Sequence, residues 1–304
     1  MSLRIATLMR VLGFLLGGVC AVSLVALLFI WVTFDAARVT TTVSQYFRDQ
    51  YQRSVRIGEA PRLRLRPLPV LELGRLSVSE PGKSAAFATV EGLSLDLALV
   101  PLLLRQTVGT GARVQRAEIQ FVRDADGNWS ARGLLAGGAG LQALPWPVQI
   151  ERLHVDGATL RFHDVASDSR VVFSDVALQT GALRDQVPGS FSLRGTALGE
   201  AASGDEVKLR IDGRYTLAQQ LVAGRVDQLA VRLDGDAFGL KGATGSLHAA
   251  GVIWQRGGEG IDLASGTLAL RGALGEQALD ASAELPALGR DGLRVRGKDW
   301  KARL

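Results

Sequence analysis

Hydrophobic and polar positions divide the chain into three unequal parts. Residues 11–34 contain no charged side chain. A helix over that stretch, rising about 1.5 Å per residue, spans a hydrocarbon core of about 30 Å with room for tilt. The stretch exceeds the short apolar region of a cleavable signal peptide, and no A-x-A site follows in Phe34-Asp35-Ala36-Ala37-Arg38. It predicts an uncleaved transmembrane anchor behind a tail of residues 1–10, with Trp31 at the interface. Residues 35–53 change period: Val39, Val43 and Phe47 recur at i, i+4 and i+8 with Tyr46 beside them. That spacing predicts an amphipathic helix, expected to cap the end of a sheet in preference to lying on a membrane surface.

From residue 54 onward the period drops to two. Leu93, Leu95 and Leu97 alternate with Ser94 and Asp96; Ile119 and Phe121 alternate with Glu118 and Gln120. The clearest run sets Val207, Leu209, Ile211, Tyr215 and Leu217 against Lys208, Arg210, Asp212, Arg214 and Thr216. Pro67 and Pro69 suit an edge strand. Residues 148–164 read as a hairpin with a bulge at Glu151-Arg152 and a turn at Asp156-Gly157. A Gly/Ala-rich stretch over 134–144, followed by Pro145 and Pro147, separates a β segment of 54–144 from a second of 145–304. Short strands with Gly- and Asp-rich turns predict a mainly β body, a long antiparallel sheet of about a dozen to fifteen strands.

Alternation leaves each strand with one apolar face, which must be covered. A second sheet, closure of the sheet on itself, or a lipid chain lying along an open groove would each serve. With 36 glycines to ease curvature and only 6% aromatic residues to plug a closed core, composition favours a curved trough. The inward set is Leu93, Leu95, Leu97, Ile119, Phe121, Leu153, Val155, Leu160, Phe162, Leu209, Ile211, Leu229, Val231 and Leu233. Their other reading is the buried core of a closed fold.

Charge and chemistry change this picture little. The net charge is +5, but the arginines alternate with apolar residues and form no basic run, so nucleic acid is not an expected partner. The single cysteine, Cys20, lies in the apolar stretch, leaving the body without disulfide or thiol ligand. Asp124, Asp126 and Asn128 imitate a calcium loop, yet Gly127 and Leu135 stand at the wrong positions for an EF-hand, and a β-turn is expected. His154, His163 and Asp156 fall on polar strand positions without metal-ligand spacing. Neither G-x-S-x-G nor a phosphate loop occurs, so no catalytic residue, cofactor or metal is expected, and the chain does not read as an enzyme.

One set of segments resembles a known family. An anchor and amphipathic helix are followed by GEAPRLRLRPLPVLELGRLSVSEP (58–81), VEGLSLDLALVPLLLRQ (90–106), RAEIQFVRDADGNWS (116–130) and IERLHVDGATLRFHD (150–164). Together these resemble the AsmA family of bacterial inner-membrane proteins. The resemblance implies a single-pass inner-membrane protein with its body in the periplasm, built like the open lipid-lined grooves of bridge-like, chorein-type transfer proteins. It implies contact with phospholipid acyl chains and movement or shielding of phospholipid between inner and outer membranes, contributing to outer-membrane assembly. Bridging members are longer than this chain. At about 4.8 Å per strand, a dozen strands make a trough of about 60 Å, so either an outer-membrane or periplasmic protein is expected to complete the bridge, or the chain is a short member lacking the family's C-terminal half. The alternative is a membrane-anchored scaffold that binds a protein partner in envelope biogenesis.

Overall fold

The computed structural model describes residues 36–66, 68–80, 86–98, 109–131, 148–199, 205–218, 223–237, 239–254, 260–291, 294–296 and 301–303. The apolar stretch 11–34 and the Gly/Ala-rich segment 134–144 lie outside these residues. Among the described residues no helix is long and apolar enough to cross a membrane.

The amphipathic helix forms as its period requires, as α1 (Ala36–Tyr51). It stops at Gln52, whose φ of 54° turns the chain left-handed so that Gln52 N donates to Arg48 O at 3.0 Å. All strands then join one sheet. The first eight are short pieces in kinked pairs: β1 (Val55–Ile57) and β2 (Arg62–Arg66), β3 (Leu68–Leu73) and β4 (Leu76–Ser79), β5 (Ala86–Glu91) and β6 (Leu93–Leu97), β7 (Gly109–Val114) and β8 (Arg116–Arg123). One member of each pair builds a branch in the order β1-β4-β5-β8, the other a branch β2-β3-β6-β7. Pro67 lies outside the described residues; Pro69 lies not on an edge strand but in β3, an interior strand, where it pairs with Leu65 of β2 and stands just beyond Val70, the last residue to pair with β6.

Both branches meet on one edge of β9 (Val148–Asp164), β7 along its first half and β8 along its second. Both of these pairings are parallel, a departure from the wholly antiparallel sheet that alternation predicts. A parallel neighbour needs a long crossover, and residues 124–147 supply one. β9 is also a single strand, not the expected hairpin. Gly157 does take φ 63°, but it bends the strand where pairing passes from β7 to β8. On the other edge, a bulge at Asp175 (φ 51°) in β10 (Ser169–Thr180) follows the same bend. An Asp-Gly pair supplies a left-handed residue equally well to a turn or to a bulge, so the local signal does not choose between them. The expected irregularity at Glu151-Arg152 is present as a register shift against β7.

From β10 the sheet continues as an antiparallel meander through β11 (Pro188–Gly199), β12 (Glu206–Ala218), β13 (Ala223–Ala237) and β14 (Leu240–Trp254). It divides again at β14. There β16 (Gly266–Leu274), β17 (Gln277–Leu285) and β20 (Lys301–Arg303) form one arm; β15 (Gly260–Leu263), β18 (Leu288–Asp291) and β19 (Arg294–Arg296) form the other. The result is mainly β: a long, open, curved sheet, antiparallel except at β9. Twenty strands among the described residues exceed the dozen to fifteen expected. Kinks at Gly74, Gly92 and Gln115 split single alternating runs into two short strands.

Two compact cores form in the first part of the sheet. Val55, Leu76, Val78, Phe87, Ala88 and Ala131 are buried together, with Val43 and Phe47 of α1 packed against them. Leu63, Leu71, Leu73 and Leu97 make the second core, joined by Leu93 and Leu95. The helix therefore caps this end of the sheet, as expected. Arg53, only 1% exposed, ties it down. Its guanidinium donates to Ser79 O at 3.0 Å and Ser130 O at 2.6 Å and lies 4.6 Å from the Phe87 ring centroid.

An apolar face without a cover

The sheet's register carries the apolar face from strand to strand. One cross-strand row runs Val55–Val78–Ala88–Ile119–Leu160–Phe173–Ala197–Val207, crossing eight strands through directly paired residues. A second runs Leu178–Leu193–Ile211–Val231–Leu247–Leu268–Ala283. Between them Gly195–Leu209–Leu233–Gly245–Leu270 continue the face. Bulges at Asp175 and at Gln228 (φ 55°) each add a residue where the alternation would otherwise slip to the other side.

The predicted residues fall into two groups. Leu97 is buried at 5%, Leu93 and Leu95 pack on the same core, and Ile119 and Phe121 pack on the core beneath α1. For these five the closed-core reading describes their surroundings. Leu153, Val155, Leu160, Phe162, Leu209, Ile211, Leu229 and Val231 are only half-buried, and Leu233 is 37% exposed. Leu268, further along the same face, is 42% exposed. No second layer packs on these strands among the described residues.

A ladder of rings marks the boundary between the two groups. Phe87 meets Phe121 edge-on at 5.7 Å, Phe121 stacks on Phe162 at 4.8 Å, and Phe162 meets Phe173 at 5.6 Å. Trp129 closes on Phe162 from the turn after β8. That turn is the one expected at Asp124–Asn128: Asn128 N donates to Asp124 Oδ1 at 2.7 Å, and Gly127 takes φ 82°.

The opposite face is charged and internally paired. Arg161 meets Glu118 at 2.9 Å across β8 and β9, Arg210 meets Asp212 at 2.8 Å, and Arg271 meets Asp280 at 3.1 Å. The Arg210 hydrogen bond, with a second from Ser192, holds the Asp212 carboxyl below the usual carboxylate range. Such exposed pairs add little stability; their effect is to keep this face in water. His154 lies 2.8 Å from Asp156, and His163 lies 3.3 Å from Asp168. Among the described residues no group of three His, Cys, Asp or Glu side chains is placed to hold a metal.

Alternation also held residues of this face that the inward set left out, namely Leu178, Leu193, Val207, Leu247, Leu268 and Leu270. Arg53 had no signal, since an arginine closing an amphipathic helix reads as solvated.

Among the described residues the molecule is thus an open β-sheet protein with one charged face and one uncovered apolar face. The AsmA family model matches residues 8–269, and the chain belongs to the AsmA family. No curated protein sequence matches it.

Proposed function

We propose that this protein is a phospholipid-shielding or phospholipid-transfer component of the bacterial envelope, anchored in the inner membrane by residues 11–34 with its β-body in the periplasm. The observation that carries the reading is the half-exposed apolar face running unbroken from β9 to β17. Soluble monomers rarely leave contiguous apolar patches beyond a few hundred Å², and acyl chains cover such a strip without any specific residue. Family membership and the open sheet fit this role. The path β1-β4-β5-β8-β9-β10-β11-β12-β13-β14-β16-β17-β20 follows successive pairings. At about 4.8 Å per strand it makes a strip of about 60 Å along the described strands; the role we propose includes a periplasmic or outer-membrane partner. The activity needs no catalytic residue, cofactor or metal.

The test is native mass spectrometry of the full chain released from membranes, for wild type, Leu209→Asp and Lys208→Asp. Leu209 lies on the apolar face, paired with Leu233, and Lys208 on the charged face, paired with Asp234. Burying a carboxylate against hydrocarbon costs several kcal/mol. Leu209→Asp is expected to lose bound phospholipid several-fold, and Lys208→Asp to keep it. Equal occupancy in two folded variants removes the lipid reading. A wild type free of lipid moves the weight to a scaffold that docks a protein on the same face.

A further inference from the structure

We infer that α1 occupies the first segment of the lipid-binding strip and gives way to an acyl chain there; the inference rests on the lipid reading above. The row Val55–Val78–Ala88–Ile119–Leu160–Phe173 is one continuous line of directly paired residues. Its first three members are buried, at 8%, 7% and 9%, and Ile119 packs against their core, while Leu160 and Phe173 are half-buried. The line of paired residues is unbroken, through antiparallel pairings up to β8 and a parallel one at β8–β9. What changes is the presence of Val43 and Phe47 of α1, packed on the core that contains those first three residues. Two apolar side chains of a helix thus take the place that hydrocarbon takes further on.

The attachment of α1 is suited to release. One polar tie to the strand beneath is the Ser44 hydroxyl donating to Val55 O at 3.5 Å, a long contact. Its C-terminal junction is the left-handed Gln52, followed at once by Arg53, which is held by two backbone carbonyls and the Phe87 ring. Arg53 is a fixed point and Gln52 a pivot beside it. In the sequence α1 follows the apolar stretch 11–34 directly. Lifting α1 joins the covered and open segments into one line.

The experiment uses the full chain in vesicles of phosphatidylethanolamine and phosphatidylglycerol doped with a diazirine-acyl phosphatidylethanolamine, with photoadducts mapped by peptide mass spectrometry. In wild type, adducts are expected on β12–β14 and also on β4–β5. A locked variant, Cys20→Ser with Ser44→Cys and Val55→Cys, is closed with diamide. It is expected to lose the β4–β5 adducts at least five-fold, keep those on β12–β14, and recover the former on reduction. The reduced variant also controls for folding. Adducts on β12–β14 but never on β4–β5 in wild type overturn the inference and leave the lipid reading standing, as do β4–β5 adducts that the lock leaves unchanged. Absence of adducts from the whole apolar face overturns both.

Discussion

Arg53 shows how much a single buried polar residue fixes when all its partners are present. Its guanidinium joins the end of α1 to the ends of β4 and of the turn after β8. Burial works against its charge, and nearby Glu80 works the other way. Arg53→Met removes the donors and leaves two carbonyls facing apolar surroundings, so a loss of about 2–4 kcal/mol is expected, read as a lower urea midpoint. An unchanged midpoint would show that water reaches those carbonyls. Gly235 is a second sensitive position: at φ 145° its added Cβ meets the carbonyl of Glu206 across the β12–β13 pairing. Gly235→Ala should cost about 2–4 kcal/mol through strain and clash, and a stability equal to wild type would rule out that close approach. Asp236 is the residue to watch by titration. Hydrogen bonds from Lys241 Nζ and Gly242 N, each 2.8 Å, hold its carboxyl below the usual range. A depressed folded value stabilises the turn above the ordinary carboxylate pKa of about 3.9 and releases it as pH falls through the folded value. Carboxyl NMR should place the Asp236 midpoint below that figure; a midpoint at or above it refutes the turn geometry.

At the scale of elements, α1 is held on its apolar side by two side chains, Val43 and Phe47. Phe47→Ala should weaken its docking by about 2 kcal/mol, seen as some 30-fold faster amide exchange in Ala36–Tyr51 with β10–β13 unaffected. Uniform acceleration would mean that the helix and sheet open as one unit. The helix was legible in the sequence because nothing competes with its 3.6-residue period. So were β12 and the turn at Asp124–Asn128, where alternation and turn chemistry agree. The course of β9 was not. A left-handed Gly157 satisfies a hairpin and a bend alike, and the choice is made by β8 and β10 lying on either side, separated from it in sequence or following it. The division of the inward residues was also illegible. Leu95 and Leu209 occupy identical patterns, and only the presence of covering groups elsewhere makes one core and the other surface.

Across the described residues, the main contacts of each strand after β9 are with its neighbours in the ladder, whereas the first eight also enclose two buried clusters. Stability is therefore uneven, close to the nearest-neighbour behaviour of repeat proteins. Hydrogen exchange should show the slowest amides in β3–β5 and progressively faster ones toward β15–β19. A flat profile would indicate that the apolar face is covered along its length. Under the proposed lipid role, bound phospholipid should slow β10–β17 selectively.

The parallel docking of β7 and β8 on β9 has a consequence for how the chain is assembled in time. Of the strands made before it, β7 and β8 are the ones that pair with β9, each with one of its halves. After that, every strand through β14 has a ready edge supplied by the strand just made. The slow step, closing the crossover of residues 124–147, comes once and early, and growth afterwards is local. A polypeptide delivered amino end first can therefore lengthen its sheet at the rate it is made, like knitting cast on from a finished selvedge.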